Sequence, residues 1–155
     1  MNPEHIIDQT LCGAIAAAGF AVLFNVNFRL LPWCAAFGGL ALAVRTICMD
    51  SGLNLEGASF AAALAAGIAV QLLRVARPDI SQNALAVVGC IPMVPGSFAA
   101  KAILGLYALT TSSATSDPQT LVTTVQYTLR VAFTIGAIGT GLAIPTLFLR
   151  VRVSR

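Results

Sequence analysis

Charge is scarce in this sequence. Only 10% of its 155 residues are charged, 57% are hydrophobic, and the mean hydropathy is +0.86. Soluble domains carry about 25% charged residues, so a soluble globular fold is excluded. Nine basic residues against six acidic ones leave a net charge of +3. The basic residues are scattered, which excludes a nucleic-acid binder. Other absences narrow the field. No Walker-type glycine loop supplies an ATP-driven engine, and no GxSxG, HExxH or intramembrane His/Asp pair supports a hydrolase. The four cysteines (Cys12, Cys34, Cys48 and Cys90) lie in apolar runs without CxxC or Cys/His spacing. They read as small buried apolar residues, and no metal site or cofactor is expected. Met1 to His5 has no Lys or Arg, so a cleaved signal peptide is not expected.

Long apolar runs fill the chain. About twenty apolar residues cross a bilayer, and the pattern predicts an all-α integral membrane protein forming a single transmembrane domain over residues 1–155. Five spans are expected at about 6–24, 30–49, 53–73, 83–109 and 118–150. Pro32-Trp33 opens the second, Asp50-Ser51-Gly52 turns into the third, and Thr111 to Asp117 forms a Ser/Thr-rich loop. The charges alternate with this count. The N-terminus carries Glu4 and Asp8, loop one Arg29, loop two Asp50, loop three Arg74 and Arg77, loop four Asp117, and the C-terminus Arg150, Arg152 and Arg155. Basic segments face the cytoplasm, which puts the N-terminus outside and the C-terminus inside. Arg45 and Arg130, near the outer ends, are the exceptions. Four spans would break the alternation.

Small residues crowd the spans, for example Ala14 to Gly19 and Gly136 to Gly141. They let helices approach closely in lipid. This serves bundle packing within the chain or a large interface with another membrane subunit.

The most informative segment is Gly89-Cys90-Ile91-Pro92-Met93-Val94-Pro95-Gly96-Ser97. Proline removes a backbone donor and clashes with the preceding turn, so the fourth span should break here. A span of this length measures about 40 Å at helical rise. Its centre falls at Gly96, near the bilayer midplane. Unwound backbone at that depth must be buried in protein or face a polar cavity. Broken helices at the midplane build substrate sites in transporters, and the free N–H groups at Gly96 and Ser97 could hold a carboxylate. A purely structural proline kink is the simpler alternative. Lys101 lies roughly 8 Å further along the helix. It either snorkels outward or lines a polar path that attracts an anion.

Arg45 lies about one turn before the outer end of span two, and Glu56 about one turn after the start of span three. They read as an ion pair, or as an outer gate in which Glu56 couples to protons. Asp8 and Gln9 begin span one at the same level. Arg130 is read as snorkelling at the outer interface, and His5 as exposed N-terminal tail. Trp33, Tyr107 and Tyr127 near span ends fit aromatic belts.

Phe24-Asn25-Val26, Trp33-Cys34-Ala35, Arg45, Ser51-Gly52-Leu53-Asn54, Glu56 and Ile91-Pro92-Met93-Val94-Pro95-Gly96 follow one another in this order. Together they resemble the threonine/serine exporter (ThrE) family, and closely its small YjjB-like subunit. The likeness covers nearly the whole chain. It implies half of a two-component exporter whose partner is a larger YjjP-like membrane subunit. It also implies threonine, serine or a succinate-like dicarboxylate as substrate. The matched positions are Arg45, Asn54, Glu56, Pro92, Pro95 and Gly96.

The expectation is therefore a multi-pass inner-membrane subunit of a secondary exporter, not an enzyme, embedded in the bilayer. Pro92, Pro95, Gly96, Ser97 and Lys101 are the candidate substrate-binding residues for a small carboxylate. Arg45, Asn54 and Glu56 are the candidate gate or coupling residues. A homo-oligomer is the alternative assembly, and a non-transporting membrane scaffold is the alternative function.

Overall fold

Among the described residues, proline and glycine punctuation divides the chain into six α-helices. The computed structural model describes residues 3–76, 82–111 and 118–153. The helices are α1 (Pro3–Leu23), α2 (Leu31–Asp50), α3 (Leu55–Ala76), α4 (Gln82–Cys90), α5 (Gly96–Thr111) and α6 (Pro118–Val153), with 3-10 turns at Phe28–Leu30 and Ile91–Met93. No strand occurs among the described residues. Four helices are long and apolar enough to cross a membrane: Glu4–Leu23, Phe28–Asp50, Leu55–Arg74 and Pro118–Phe148. The bent pair Leu85–Met93 and Gly96–Thr111 makes a fifth if it counts as one broken span. The loop-three expectation at Arg77-Pro78-Asp79 and the loop-four expectation at residues 112–117 lie outside the described residues.

The helix ends follow from local chemistry. Pro3 opens α1 and Glu4 sits in its first turn, where a missing N–H costs nothing and a negative charge meets the helix dipole. Helix α1 therefore starts three residues before the expected Ile6. It closes in a Schellman motif: Asn25 takes φ 53, Asn25 N–H donates to the Val22 carbonyl, and Val26 N–H donates to that of Ala21. Asn tolerates this left-handed backbone. Helix α2 ends the same way. Gly52 adopts φ 90, its N–H donates to the Met49 carbonyl, and Leu53 N–H donates to that of Cys48. Leu53 is thus part of the cap. Helix α3 begins at Leu55, with Ala58 N–H donating to the Asn54 carbonyl at 2.9 Å.

The chain separates into two units, Met1–Met93 with Ala137–Arg155, and Val94–Gly136. In the first, α1 and α2 touch through glycine. A Cβ on Gly13 would lie 2.8 Å from the Gly38 carbonyl oxygen, and one on Gly39 would lie 3.2 Å from that of Thr10. Without hydrophobic drive between helices in lipid, such backbone approach supplies the packing. The C-terminal part of α6 meets α3 likewise: a Cβ on Gly141 would come within 2.8 Å of the Phe60 carbonyl oxygen. Met93, Cys90, Ala41, Ala63 and Ile138 share one buried cluster, and Cys34, Phe37, Leu85 and Val88 share another. Exposed Ile7, Leu11 and Ile15 form an apolar stripe on α1. Buried hydroxyls bond backward along their own helices, as Thr46 does to the Leu42 carbonyl and Ser59 to that of Leu55. Their protons are thus satisfied where no water is available.

The second unit pairs α5 with the first part of α6. Gly105 fits against Thr124, whose side chain leaves no room for a Cβ at that position. Phe98 and Tyr127 pack with ring centroids 5.7 Å apart.

Candidate functional site

The helix breaks where the prolines fall. Helix α4 ends at Cys90, Ile91–Met93 tighten into a 3-10 turn, and α5 starts at Gly96. Gly96 N–H folds back onto the Val94 carbonyl at 2.8 Å, and the Pro95 carbonyl accepts from Ala99 N–H at 3.0 Å. The first N–H groups of a helix have no acceptor within it. Gly96 and Ser97 are exposed, and a Cβ on Gly96 would meet nothing within 4 Å. Pro95 is buried.

Packing within the first unit gives the level at which α4 ends. Gly89 lies against Phe37 and Gly38 of α2, and Met93 shares a cluster with Ala41. The two helices therefore run in the same direction, and Met93 lies level with the middle of Leu31–Asp50. Side chains on a helix lean toward its N-terminus. Arg45, set one turn further along α2, leans back to this level and donates from Nη1 to the Met93 carbonyl oxygen at 3.2 Å. Its Nε is buried and has no hydrogen-bond partner. Arg45, Pro92, Thr46, Leu42, Gln9 and His5 line a cavity of about 350 Å³, with Met49 and Asp50 completing the wall.

The structure thus brings Arg45 and Pro92 together. Asn54 caps α3, and half-buried Glu56 sits in the first turn of that helix. The bond described for Arg45 runs to backbone at the break, a partner that charge pairing along the sequence does not suggest. His5, expected as exposed tail, is exposed but helical, and it joins Gln9 one turn on in the cavity wall. Their i, i+4 spacing was the signal available in the sequence.

Lys101 belongs to the second unit. Its Nζ sits 5.5 Å from the centroid of the Tyr127 ring, and Arg130 lies 5.3 Å over Phe98. Tyr127, expected near a span end, lies inside α6 (Pro118–Val153) and is a cation partner. Lys101, Gln119, Thr120, Thr123, Thr124 and Tyr127 line a groove of about 410 Å³ together with Leu104 and Gly105. The threonines escaped notice in the sequence, although 120, 123, 124 and 127 trace one helical face. Among the described residues, no group of three or more His, Cys, Asp or Glu side chains could hold a metal ion.

Arg45 and Asp50 thus share one cavity wall beside the turn that follows α4. The model of the family described as "Threonine/Serine exporter, ThrE" matches residues 9–148. The chain belongs to the threonine/serine exporter family. No solved structure matches it. The ThrE match includes α2, the break and the Lys101 groove. The apolar helices and the ThrE membership together make this a membrane protein.

Proposed function

We propose that the chain is one subunit of a two-component secondary exporter. It moves a small carboxylate metabolite, threonine, serine or a succinate-like dicarboxylate, outward across the inner membrane, and it catalyses no chemical conversion. The N-terminus is outside and the C-terminus inside, and a larger YjjP-like membrane subunit completes the transporter. The reading rests on one observation: the Arg45 guanidinium is tied by Nη1 to the carbonyl of Met93 at the helix break, and Arg45 lines a cavity beside it. A carboxylate in that cavity pairs with guanidinium N–H groups that the Met93 carbonyl does not engage. The volume of about 350 Å³ falls in the range of small-molecule pockets. Pro92 keeps the backbone open beside this charge. Glu56 and Asn54, at the start of α3, act with Arg45 as gate or coupling residues.

The test is efflux of labelled serine, threonine and succinate from cells carrying this chain alone, the YjjP-like subunit alone, or both. Efflux that requires both chains and disappears with Arg45→Gln is the expected result. Efflux from this chain alone replaces the two-component arrangement with a self-sufficient carrier. Absence of efflux of all three with both chains in the membrane overturns the exporter reading in favour of a scaffold.

A further inference from the structure

The groove on the second unit has a chemistry of its own. Thr123 Oγ1 donates to the Gln119 carbonyl at 2.7 Å, and Thr124 Oγ1 donates to the Thr120 carbonyl at 2.7 Å. A hydroxyl has one proton and two lone pairs, so exposed Thr123 Oγ1, with its proton engaged, offers acceptor capacity only, whereas Thr124 is buried against Gly105. Across from them Lys101 offers donors and a positive charge, held over the Tyr127 ring. No Asp or Glu is among the described lining residues. A lysine on apolar helices is costly against hydrocarbon unless it is hydrated or paired. The best complement of Lys101 and Thr123 is a molecule with an anionic group and, a few ångströms away, a hydrogen-bond donor.

We infer that the Lys101–threonine groove is a second binding station, one that selects carboxylates also carrying a hydroxyl or ammonium group over simple dicarboxylates. The carboxylate lies against Lys101, and the hydroxyl or ammonium donates to Thr123. A dicarboxylate satisfies Lys101 but sets its second carboxylate, lone pair to lone pair, against the Thr123 oxygen. The ligand class rests on the exporter reading above, whereas the selectivity rests on this groove alone.

The test is thiol labelling of Thr123→Cys in the full chain, together with its partner subunit if one is needed, in phosphatidylcholine nanodiscs. Reactivity of the parent cysteines is subtracted, and Thr120→Cys serves as a second position should the first fail to fold. An anionic thiosulfonate should react faster than a cationic one, and Lys101→Gln should remove that preference. Serine should slow the labelling, whereas succinate at the same concentration should not. Thr123→Val should weaken serine binding about tenfold and leave succinate binding unchanged. Unreactive cysteines at both positions, or equal protection by serine and succinate, overturn the inference. Protection that comes from adding anionic lipid, and not from serine, overturns it as well. Failure here with Arg45-dependent efflux intact leaves the exporter reading standing. Protection by serine in a chain that supports no efflux sinks that reading and keeps the groove.

Discussion

Arg45 donates from Nη1 to the carbonyl oxygen of Met93 across 3.2 Å, so a charged side chain of α2 is bound to backbone in the 3-10 turn that follows α4. An arginine in an apolar span is expensive and marks function by default. Replacing it with glutamine should cut efflux at least about tenfold, since hydrogen bonds to charged groups contribute about 1.5–3 kcal/mol. Arg45→Lys should recover only part of the rate, because an ammonium cannot hold Met93 and a carboxylate in the same fork. Initial efflux rates, normalised to protein in the membrane, decide this. Wild-type rates in both variants would remove Arg45 from the site.

The break itself is separable from stability. Pro92→Ala and Pro95→Ala restore backbone donors and relieve a residue that costs about 3 kcal/mol in a helix interior. The double variant should melt at or above the wild-type temperature in detergent while losing most of its efflux. A variant that melts higher and transports normally would reduce the segment to a structural kink.

Close packing between α1 and α2 gives a contrast among glycines. A Cβ on Gly38 would fall onto that of Ala17 and within 2.7 Å of the Gly13 carbonyl oxygen, whereas one on Gly19 would meet nothing within 4 Å. Gly38→Val should therefore destabilise by about 1–3 kcal/mol, the usual cost of overpacking. Gly19→Ala should be neutral or stabilise by up to about 1 kcal/mol through helix propensity. Thermal melting of the two purified variants checks the difference in sign.

Cysteine burial is graded. Cys12 is exposed, Cys48 is half-buried, and Cys34 and Cys90 are buried. Maleimide labelling of the purified chain, read by peptide mass spectrometry, should modify Cys12 first and Cys48 more slowly. Cys34 and Cys90 should react only after denaturation. Early reaction of Cys90 would contradict its place beside Met93 in the core of the first unit.

Much of the fold was legible along the chain because lipid enforces it. Backbone groups in hydrocarbon must bond within a helix, so apolar length alone sets where helices form. Pro3, Asn25 and Gly52 then set their ends through local backbone chemistry. Small shifts mark where capping was overlooked, as at Leu53, which belongs to the cap of α2 and not to α3. The Thr120, Thr123, Thr124 and Tyr127 face could also have been found by periodicity. It was hidden because threonines that bond back to their own helix look inert in a membrane span.

Apolar composition and the proline pair determined by themselves that this is a helical membrane protein whose helix stops at Cys90 and restarts at Gly96, because bilayer solvation and proline sterics act on consecutive residues. Which side chains meet at the interruption was decided only in three dimensions. Arg45 precedes Met93 by 48 positions, and their meeting depends on the glycine-lined approach of α4 to α2 and on the backward lean of a helical side chain. The pairing of Lys101 with Tyr127 likewise needed the packing of α5 on α6, where Gly105 makes room for Thr124. Contacts of this kind depend on the directions in which side chains project from packed helices, and spacing along one chain carries no record of those directions.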